Sequence, residues 1–235
     1  MIKRLIKESK IFGIYKALCK LVPKQYETIK GGLVIEGNYK GRFVKQIVGG
    51  GNKVICKGMS SFDGTVIHIT GNNNTIIFED GCSVGPKCSF WAEGSNITIR
   101  IGAHTIFKHT VHFCAQEDGL SIEVGEDCMF SNTITVRTSD SHIITDNATG
   151  ERINPGKSVK IGNHVWIAPK SMVMKGVTVG NNVIIGTNTM VTKDIPDDSL
   201  AVGIPAKVVK TNISWHRQAT FESSHQKIMQ AYLDK

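Results

Sequence analysis

A histidine at the start of a polar, turn-rich segment is the first candidate for chemistry in this 235-residue chain. His142 follows Asp140 in S139-D-S-H142, and the turn-rich run T-D-N-A-T-G-E-R-I-N-P-G-K occupies residues 145–157. Histidine accepts a proton near neutral pH, and a neighbouring carboxylate can hold and orient it, so the pair suits general base catalysis. The spacing alone is equally compatible with a solvent-exposed loop histidine. The elements on either side of the segment therefore matter.

A six-residue repeat flanks this segment on its C-terminal side. From residue 161 the chain divides into IGNHVW, IAPKSM, VMKGVT, VGNNVI, IGTNTM and VTKDIP. The second position is often Gly or Ala, and the fifth is small or β-branched. The first positions are Ile161, Ile167, Val173, Val179, Ile185 and Val191. A six-residue period fits three alternations of a strand and no helical period, so each unit is predicted to form a short strand and a turn, with its first residue pointing into the core.

The same frame continues upstream, less regularly. Its first positions there are Val48, Val54, Ser60, Val66, Asn72, Phe78, Val84, Phe90, Ile101, Phe107, Phe113, Val124, Phe130 and Val136. Three cysteines, Cys82, Cys88 and Cys128, fall at the small fifth position, which predicts that they are buried as small apolar side chains. Three strand-and-turn faces would close into a triangular coil of about eighteen residues, and stacked coils would pair as parallel strands.

The frame breaks twice, and breaks in a solenoid are where loops can carry function. Between Val136 and Ile161 the chain is much longer than one repeat, so residues near 142–158 are predicted to loop out of the coil. A smaller break surrounds Q116-E-D-G119. His142 thus lies at the root of the longer loop.

Composition excludes several classes of protein. With 40% hydrophobic and 20% charged residues, general disorder is excluded. The net charge of +8 is spread along the chain without a recognisable nucleic-acid-binding motif, so no nucleic-acid partner is expected. Six cysteines without a CxxC pair argue against paired zinc ligands and thioredoxin-like chemistry. With no signal peptide or membrane span apparent, we expect reduced thiols and a cytoplasmic location.

The hexapeptide frame and the tail V202-G-I-P-A-K-V-V-K210 resemble the hexapeptide-repeat acyltransferases, most specifically over residues 122–210. The resemblance implies an all-β, left-handed parallel β-helix, although crossover rules alone would favour the right hand. TSDSH (138–142), GERIN (150–154) and IGNHVWIA (161–168) look most like sialic-acid and polysialic-acid capsule O-acetyltransferases. By that resemblance, acetyl would pass from acetyl-CoA to a hydroxyl of a cell-surface polysaccharide or its sugar precursor. The enzyme would be a homotrimer with active sites between subunits.

The resemblance also implies roles for individual residues. His142 would be the catalytic base, with Asp140 fixing its ring. Trp166, at the end of its hexapeptide, would line the substrate slot beside the histidine of an adjacent subunit. Arg137 and Arg152 bracket His142 and would bind a sialic-acid carboxylate. Small residues for the pantetheine arm, and lysines clustered in the last coil and tail for the phosphates, are Ala168, Gly186, Thr187, Lys193, Lys207 and Lys210.

A zinc site is the alternative chemistry on this type of solenoid, as in γ-carbonic anhydrases. It requires three histidines that converge from stacked coils and a neighbouring subunit. His104, His109 and His112 fall instead on one coil, so no metal is expected. His164, in the middle of its hexapeptide, is expected to be exposed or at an interface.

Two other functions remain open at this stage. The acceptor could be small, such as an antibiotic, serine or an amino sugar, or the chain could be a scaffold that kept the repeat and lost the chemistry. His142 at a loop root and the intact tail motif argue against the scaffold.

The two ends of the chain differ from the repeat. Residues 1–30 are predicted to form a basic amphipathic helical segment ending near Pro23. This segment would cap the solenoid, or it would anchor the protein to a membrane surface or a capsule-assembly complex, at the inner face of the membrane. Residues 31–210 would form the β-helix domain. Residues 211–235 are predicted to form a short helix that packs through Trp215 and other apolar residues.

Overall fold

The computed structural model describes the backbone of residues 24–29 and, in full, residues 32–218; these residues form strands and turns and no helix. The strands are β1 (Lys24–Ile29), β2 (Leu33–Val48), β3 (Asn52–Thr70), β4 (Thr75–Phe78), β5 (Ser83–Val84), β6 (Ser89–Glu93), β7 (Thr98–Ile101), β8 (Ile106–Gln116), β9 (Ser121–Val124), β10 (Met129–Arg137), β11 (Val159–Ile161), β12 (Trp166–Ile167), β13 (Met172–Val173), β14 (Thr178–Val179), β15 (Ile184–Ile185), β16 (Met190–Val191), β17 (Ser199–Val202) and β18 (Lys207–Thr211). The predicted all-β class is confirmed.

The strands stack into three faces of a solenoid. Face one contains β4, β7, β9, β11 and β14. Face two contains β5, β12, β15, β17 and the first parts of β8 and β10. Face three contains β6, β13, β16 and the last parts of β8 and β10, while β2 and β3 each run through all three faces. Pairing from coil to coil is parallel, and β1 and β18 add antiparallel strands to β2 and β17.

The core of the C-terminal half follows the predicted hexapeptide frame. Each of the six predicted first positions is at most 1% exposed; they are Ile161, Ile167, Val173, Val179, Ile185 and Val191. Burial of a Val or Ile side chain contributes about 1.5–3 kcal/mol. Cys82, Cys88 and Cys128 are also buried, as predicted. Burial raises the pKa of the Cys82 and Cys128 thiols to about 12, so both remain protonated at neutral pH.

The N-terminal half has longer coils than the sequence frame assumed. Thr75 pairs with Thr98 and Thr98 with Ser121, a repeat of 23 residues in place of 18. The frame upstream of Phe78 was therefore partly wrong, because a 23-residue coil is not a multiple of six. Val48 is 66% exposed, and Val66 and Asn72 do not point into the core.

A buried asparagine builds the extra corner of the longer coils. The Asn74 side chain is fully buried, and its Nδ2 donates to the Gly94 carbonyl at 2.8 Å. The Asn74 Oδ1 accepts from the Ile97 backbone amide at 2.8 Å. The Asn74 backbone amide donates to Oδ1 of the buried Asn52. The corner's backbone groups thus find partners away from water, as buried polar groups must.

The predicted terminal helices are corrected where the structure describes them. Residues 24–29, placed in the N-terminal helical segment, form strand β1, which pairs with β2. The rest of that segment, and its proposed membrane contact, lie outside the described residues. At the other end, residue 211 ends β18 and residues 212–218 have no regular secondary structure, so Trp215 packs from a non-helical segment. The predicted helix beyond residue 218 lies outside the described residues.

Candidate active site

A loop of residues 138–158 leaves the solenoid between β10 and β11, and it contains the whole segment that the sequence predicted to loop out. The loop folds back on itself, with the Ile153 amide donating to the Ile144 carbonyl at 2.9 Å. Its two ends meet, because the Lys157 amide donates to the Thr138 carbonyl at 2.8 Å. The chain therefore leaves and rejoins the stack at one place.

Asn154 fixes the backbone at the root of this loop. Its buried amide Nδ2 donates to the His142 carbonyl at 2.8 Å and to the Asp140 carboxylate at 3.0 Å. Its Oδ1 accepts from the Ile144 amide at 2.8 Å. Sequence reasoning missed Asn154, because its place before a proline indicates a turn but not what its side chain binds.

Asp140 does not orient the imidazole as the sequence suggested. Its carboxylate forms an ion pair with Lys175 and accepts the hydrogen bond from Asn154. The hydrogen bond from Lys175, followed by that from Asn154, lowers the pKa of Asp140. Asp140 therefore connects the loop root to the neighbouring coil, and Asn154 links it to the His142 carbonyl.

The His142 side chain is exposed. Within residues 32–218, no side chain or backbone group forms a hydrogen bond with its imidazole, whereas the preceding Ser141 adopts a left-handed backbone with φ 70°. An imidazole on a fixed backbone with both ring nitrogens open to solvent is available to a substrate hydroxyl.

Arg137 braces the residues just before His142. Its Nε donates to the Ser139 carbonyl at 2.6 Å, and its NH2 group donates to Ser141 Oγ at 2.8 Å. Ser141 Oγ in turn donates to Oε1 of Gln116, at the end of β8. The guanidinium is thus bonded to the residue just before His142, and two of its nitrogens are already engaged.

Arg152 forms a two-bond ion pair with Glu117. The two guanidinium nitrogens donate to the two carboxylate oxygens at 2.6 and 2.9 Å. These hydrogen bonds lower the pKa of Glu117 to about 2. Glu117 belongs to the smaller break that the sequence marked around residues 116–119, and the structure brings the two breaks together. A carboxylate acceptor would compete with Glu117 for Arg152.

Trp166 lies in β12 on face two. His142 lies in the loop that leaves after the face-three part of β10. The two residues therefore lie on different sides of one chain. The indole Nε1 donates to Ser131 Oγ at 3.3 Å, and the ring contacts Trp215 with centroids 6.0 Å apart. His164 is partly exposed and stacks on Trp215.

The residues predicted to bind the donor divide between two edges of the solenoid. Ala168, Gly186 and Thr187 follow β12 and β15 at the corner between faces two and three. A Cβ at Gly186 would lie 2.6 Å from Val202 Cγ1, so this corner tolerates only a very small residue. The predicted lysine cluster is split: the exposed Lys207 and Lys210 lie on β18 beside face two, whereas Lys193 follows face three.

The described residues contain no group of three His, Cys, Asp or Glu side chains arranged to hold a metal ion. His112, one of the three histidines considered for zinc, bonds to Ser89 Oγ at 2.7 Å through Nδ1, and burial lowers its pKa. In the same part of the chain, no helix has the length and apolar character needed to cross a membrane.

Comparison with known proteins identifies the family. A model of the bacterial transferase hexapeptide, built of six repeats, matches residues 158–193. A polysialic acid O-acetyltransferase of Neisseria meningitidis is 38% identical over 174 residues, which cover 73% of this chain and 79% of that relative. The chain belongs to the hexapeptide-repeat acetyltransferases.

Two solved acetyltransferases share its fold. The polySia-specific acetyltransferase NeuO aligns with a TM-score of 0.71 and 28% identity, over 84% of this chain and 94% of that one. The polysialic acid O-acetyltransferase OatWY aligns with a TM-score of 0.70 and 28% identity, over 85% and 95%. These alignments confirm the left-handed β-helix predicted from the resemblance.

One relative is matched over part of its length. A polysialic acid O-acetyltransferase of Escherichia coli O1:K1 / APEC is 47% identical over 100 residues, and the chain spans only 33% of it. Acetyltransferases of the hexapeptide-repeat family take their acetyl group from acetyl-CoA.

Proposed function

We propose that this hexapeptide-repeat acetyltransferase transfers acetyl from acetyl-CoA to a hydroxyl of a sialic-acid-containing capsular polysaccharide, or of its sugar precursor. The observation that carries the proposal is the relative from Neisseria meningitidis, a polysialic acid O-acetyltransferase of which the chain covers 79%. The two solved structures aligned above are polysialic acid acetyltransferases as well.

In the proposed reaction His142 is the general base. Its imidazole takes the proton from the acceptor hydroxyl as the oxygen attacks the thioester carbonyl. The tetrahedral intermediate then expels the coenzyme A thiolate, which takes up the proton from the imidazolium. A general base of this kind contributes about 10²–10⁴-fold to the rate. The exposed ring on a backbone held by Asn154 supports this role.

Asp140 is a positioning residue in this mechanism. Its carboxylate holds the loop root through Lys175 and Asn154. Its loss would displace His142 without removing the base itself, so we expect a smaller effect than from loss of His142.

The acceptor would lie between subunits. His142 and Trp166 occupy different edges of one chain, so a site that contains both residues requires a second copy. We propose a homotrimer in which the Trp166 of one subunit lines the acceptor slot beside the His142 of the next. Of the two arginines, Arg137 is proposed to meet the sialic-acid carboxylate first, since Arg152 is paired with Glu117.

The donor would follow the corner between faces two and three. The pantetheine arm is proposed to run along Ala168, Gly186 and Thr187. Lys207 and Lys210, exposed on β18, would meet the phosphates, with Lys193 contributing from the other edge of the subunit.

The experiment measures free thiol released from acetyl-CoA with polysialic acid, neutral capsule glycans or chloramphenicol-like hydroxyls as acceptors. We expect release that depends on the sialic-acid polymer and falls at least about 10²-fold in His142→Ala. His109→Ala, which removes an exposed histidine between the face-two and face-three parts of β8, is the matched control and should retain activity.

Other outcomes would change the assignment. Release only with a small hydroxyl compound would assign a small acceptor, as in the galactoside O-acetyltransferase of Lactococcus lactis, which is 31% identical over 131 residues. Glycan-dependent release that survives in His142→Ala would keep the function and reject the base.

A further inference from the structure

The chain after β18 forms a strap, residues 212–217, that runs along the corner between faces one and two. At this corner the five coils from β7 onward each turn through a non-glycine residue in the left-handed region. These residues are His104, Asp127, His164, Asn182 and Asp198, with φ between 53° and 58°. Asn, Asp and His tolerate this conformation better than most residues. The turn side chains therefore form a column along which the strap lies.

The strap bonds to this column coil by coil. The Ile213 amide donates to the Asp198 carbonyl at 3.2 Å, and Asn182 Nδ2 donates to the Ile213 carbonyl at 2.7 Å. Two coils away, Arg217 Nε donates to Asp127 Oδ1 at 2.7 Å. The strap is thus held at both ends, with Trp215 between them.

Trp215 is the centre of the strap. It is 4% exposed, its Nε1 donates to the His164 carbonyl at 2.8 Å, and its ring stacks on the His164 ring with centroids 4.2 Å apart and planes 12° apart. The Arg217 guanidinium lies 6.0 Å from the centre of the indole. These contacts fix the orientation of the indole.

His164 bonds through both ring nitrogens. Nδ1 lies 2.6 Å from Asp127 Oδ2, and Nε2 lies 3.0 Å from the Trp215 carbonyl. Both partners are acceptors, so the ring satisfies both bonds only when it carries two protons. The charged and titratable groups around it are Asp127 and Arg217, with Glu126 and His104 lining the same hollow.

We propose that His164 and Trp215 are positioning residues for Trp166. The Trp215 and Trp166 rings meet with centroids 6.0 Å apart and planes 46° apart, and the Trp166 Nε1 donates to Ser131 Oγ at 3.3 Å. The strap therefore determines the orientation in which Trp166 faces the acceptor. The inference rests on the proposed function, in which Trp166 lines the slot.

A double-mutant cycle tests the proposal. We expect Trp215→Ala to raise the acceptor KM and to lower kcat/KM by up to about 10²-fold, with Trp215→Phe in between, because small misplacements of a positioning group have effects of this size. If Trp215 acts through Trp166, the double variant Trp166→Ala/Trp215→Ala will be no worse than Trp166→Ala alone. Additive losses would overturn the proposal.

The matched control loosens the strap elsewhere. Asn182→Ala removes the bond to the Ile213 carbonyl and leaves Trp215 on His164. It should lower the Tm and leave the acceptor KM unchanged. An equal rise in KM would assign the effect to the strap in general and would overturn the role of the pair.

A spectroscopic test does not depend on acetyl transfer. With 5-fluorotryptophan incorporated, the three resonances of Trp91, Trp166 and Trp215 are assigned by single Trp→Phe variants. His164→Asn, which suits the left-handed backbone, should shift the resonances of Trp215 and Trp166 and leave that of Trp91 in place. A shift of Trp215 alone would overturn the proposal. If no acceptor supports transfer, the proposed function fails while this result still stands.

Discussion

The two halves of the solenoid differ in coil length. From β4 to β9 the coils repeat every 23 residues, and from β11 to β16 they repeat every 18. The additional residues lengthen face three, where β6 has five residues and β13 and β16 have two. They also form polar corners such as the one built on Asn74. The N-terminal half is therefore wider than the C-terminal half.

The candidate active site lies at the step between the two halves. The loop 138–158 follows the last wide coil and precedes the first narrow one. Gln116 and Glu117, at the end of a wide face three, bind the loop from one side, and Lys175 binds it from the narrow side. The loop that carries His142 is thus bonded to a wide coil on one side and a narrow coil on the other.

The largest effect is expected from removal of an aromatic ring in the wide half. Phe107 is buried and stacks on Phe130 with centroids 4.7 Å apart. Phe107→Ala should lower the free energy of unfolding by about 3–5 kcal/mol, because it loses transfer energy and leaves a cavity. Ile185→Val in the narrow half should cost about 0.5–1.5 kcal/mol. Denaturant unfolding followed by circular dichroism measures both values.

The same experiment tests whether the halves depend on each other. Because each coil pairs with the next, we expect one cooperative transition in both variants. Two transitions, of which Phe107→Ala shifts only one, would show that the wide and narrow coils unfold independently.

The next largest effect is expected on activity, at the root of the loop between the wide and the narrow coils. Asn154→Ala removes the bonds to Asp140, His142 and Ile144, so the proposed base His142 should be displaced and kcat/KM should fall by about 10²-fold. Thiol-release kinetics measure this loss. Asn147→Ala, an exposed position on the same loop, should behave as the wild type. Full activity in Asn154→Ala would show that the loop root is held without this side chain.

A smaller effect on stability is expected from loss of the Asn74 side chain, at the additional corner of the wide coils. Asn74→Ala leaves the Gly94 carbonyl and the Ile97 amide without their side-chain partner, which should cost about 1–3 kcal/mol. Asp63→Ala, on an exposed part of β3, serves as the control. Equal stability of the two variants in denaturant unfolding would mean that water replaces the amide at this corner.

The sequence predicted the narrow half better than the wide half for a physical reason. A strict six-residue period places Ile167 and Ile185 on the same inward column, and both are buried. A 23-residue coil adds corner residues that shift this register, so Val48 and Val66 were assigned to the wrong side.

The site shows the same limit. The sequence located His142 at a loop root, because a break in the repeat is a local property. It could not find the partners of Asp140, Arg152 and Trp166. Those partners depend on where the loop and the strap lie, and that depends on contacts far along the chain.

The smallest effect is expected from the ion pair that ties the loop to the wide edge. Arg152 lowers the pKa of Glu117 to about 2 from an ordinary value of 4.5. A carboxylate with a lowered pKa in the folded state stabilises the protein above about pH 4.5, and this contribution is lost as the pH falls towards 2. The Tm of the wild type should therefore fall more steeply over this range than that of Glu117→Gln. Glu151→Gln, which removes an exposed carboxylate on the same loop, should show the same dependence of Tm on pH as the wild type. If Glu117→Gln shows that dependence as well, the pair of Arg152 and Glu117 does not stabilise the protein.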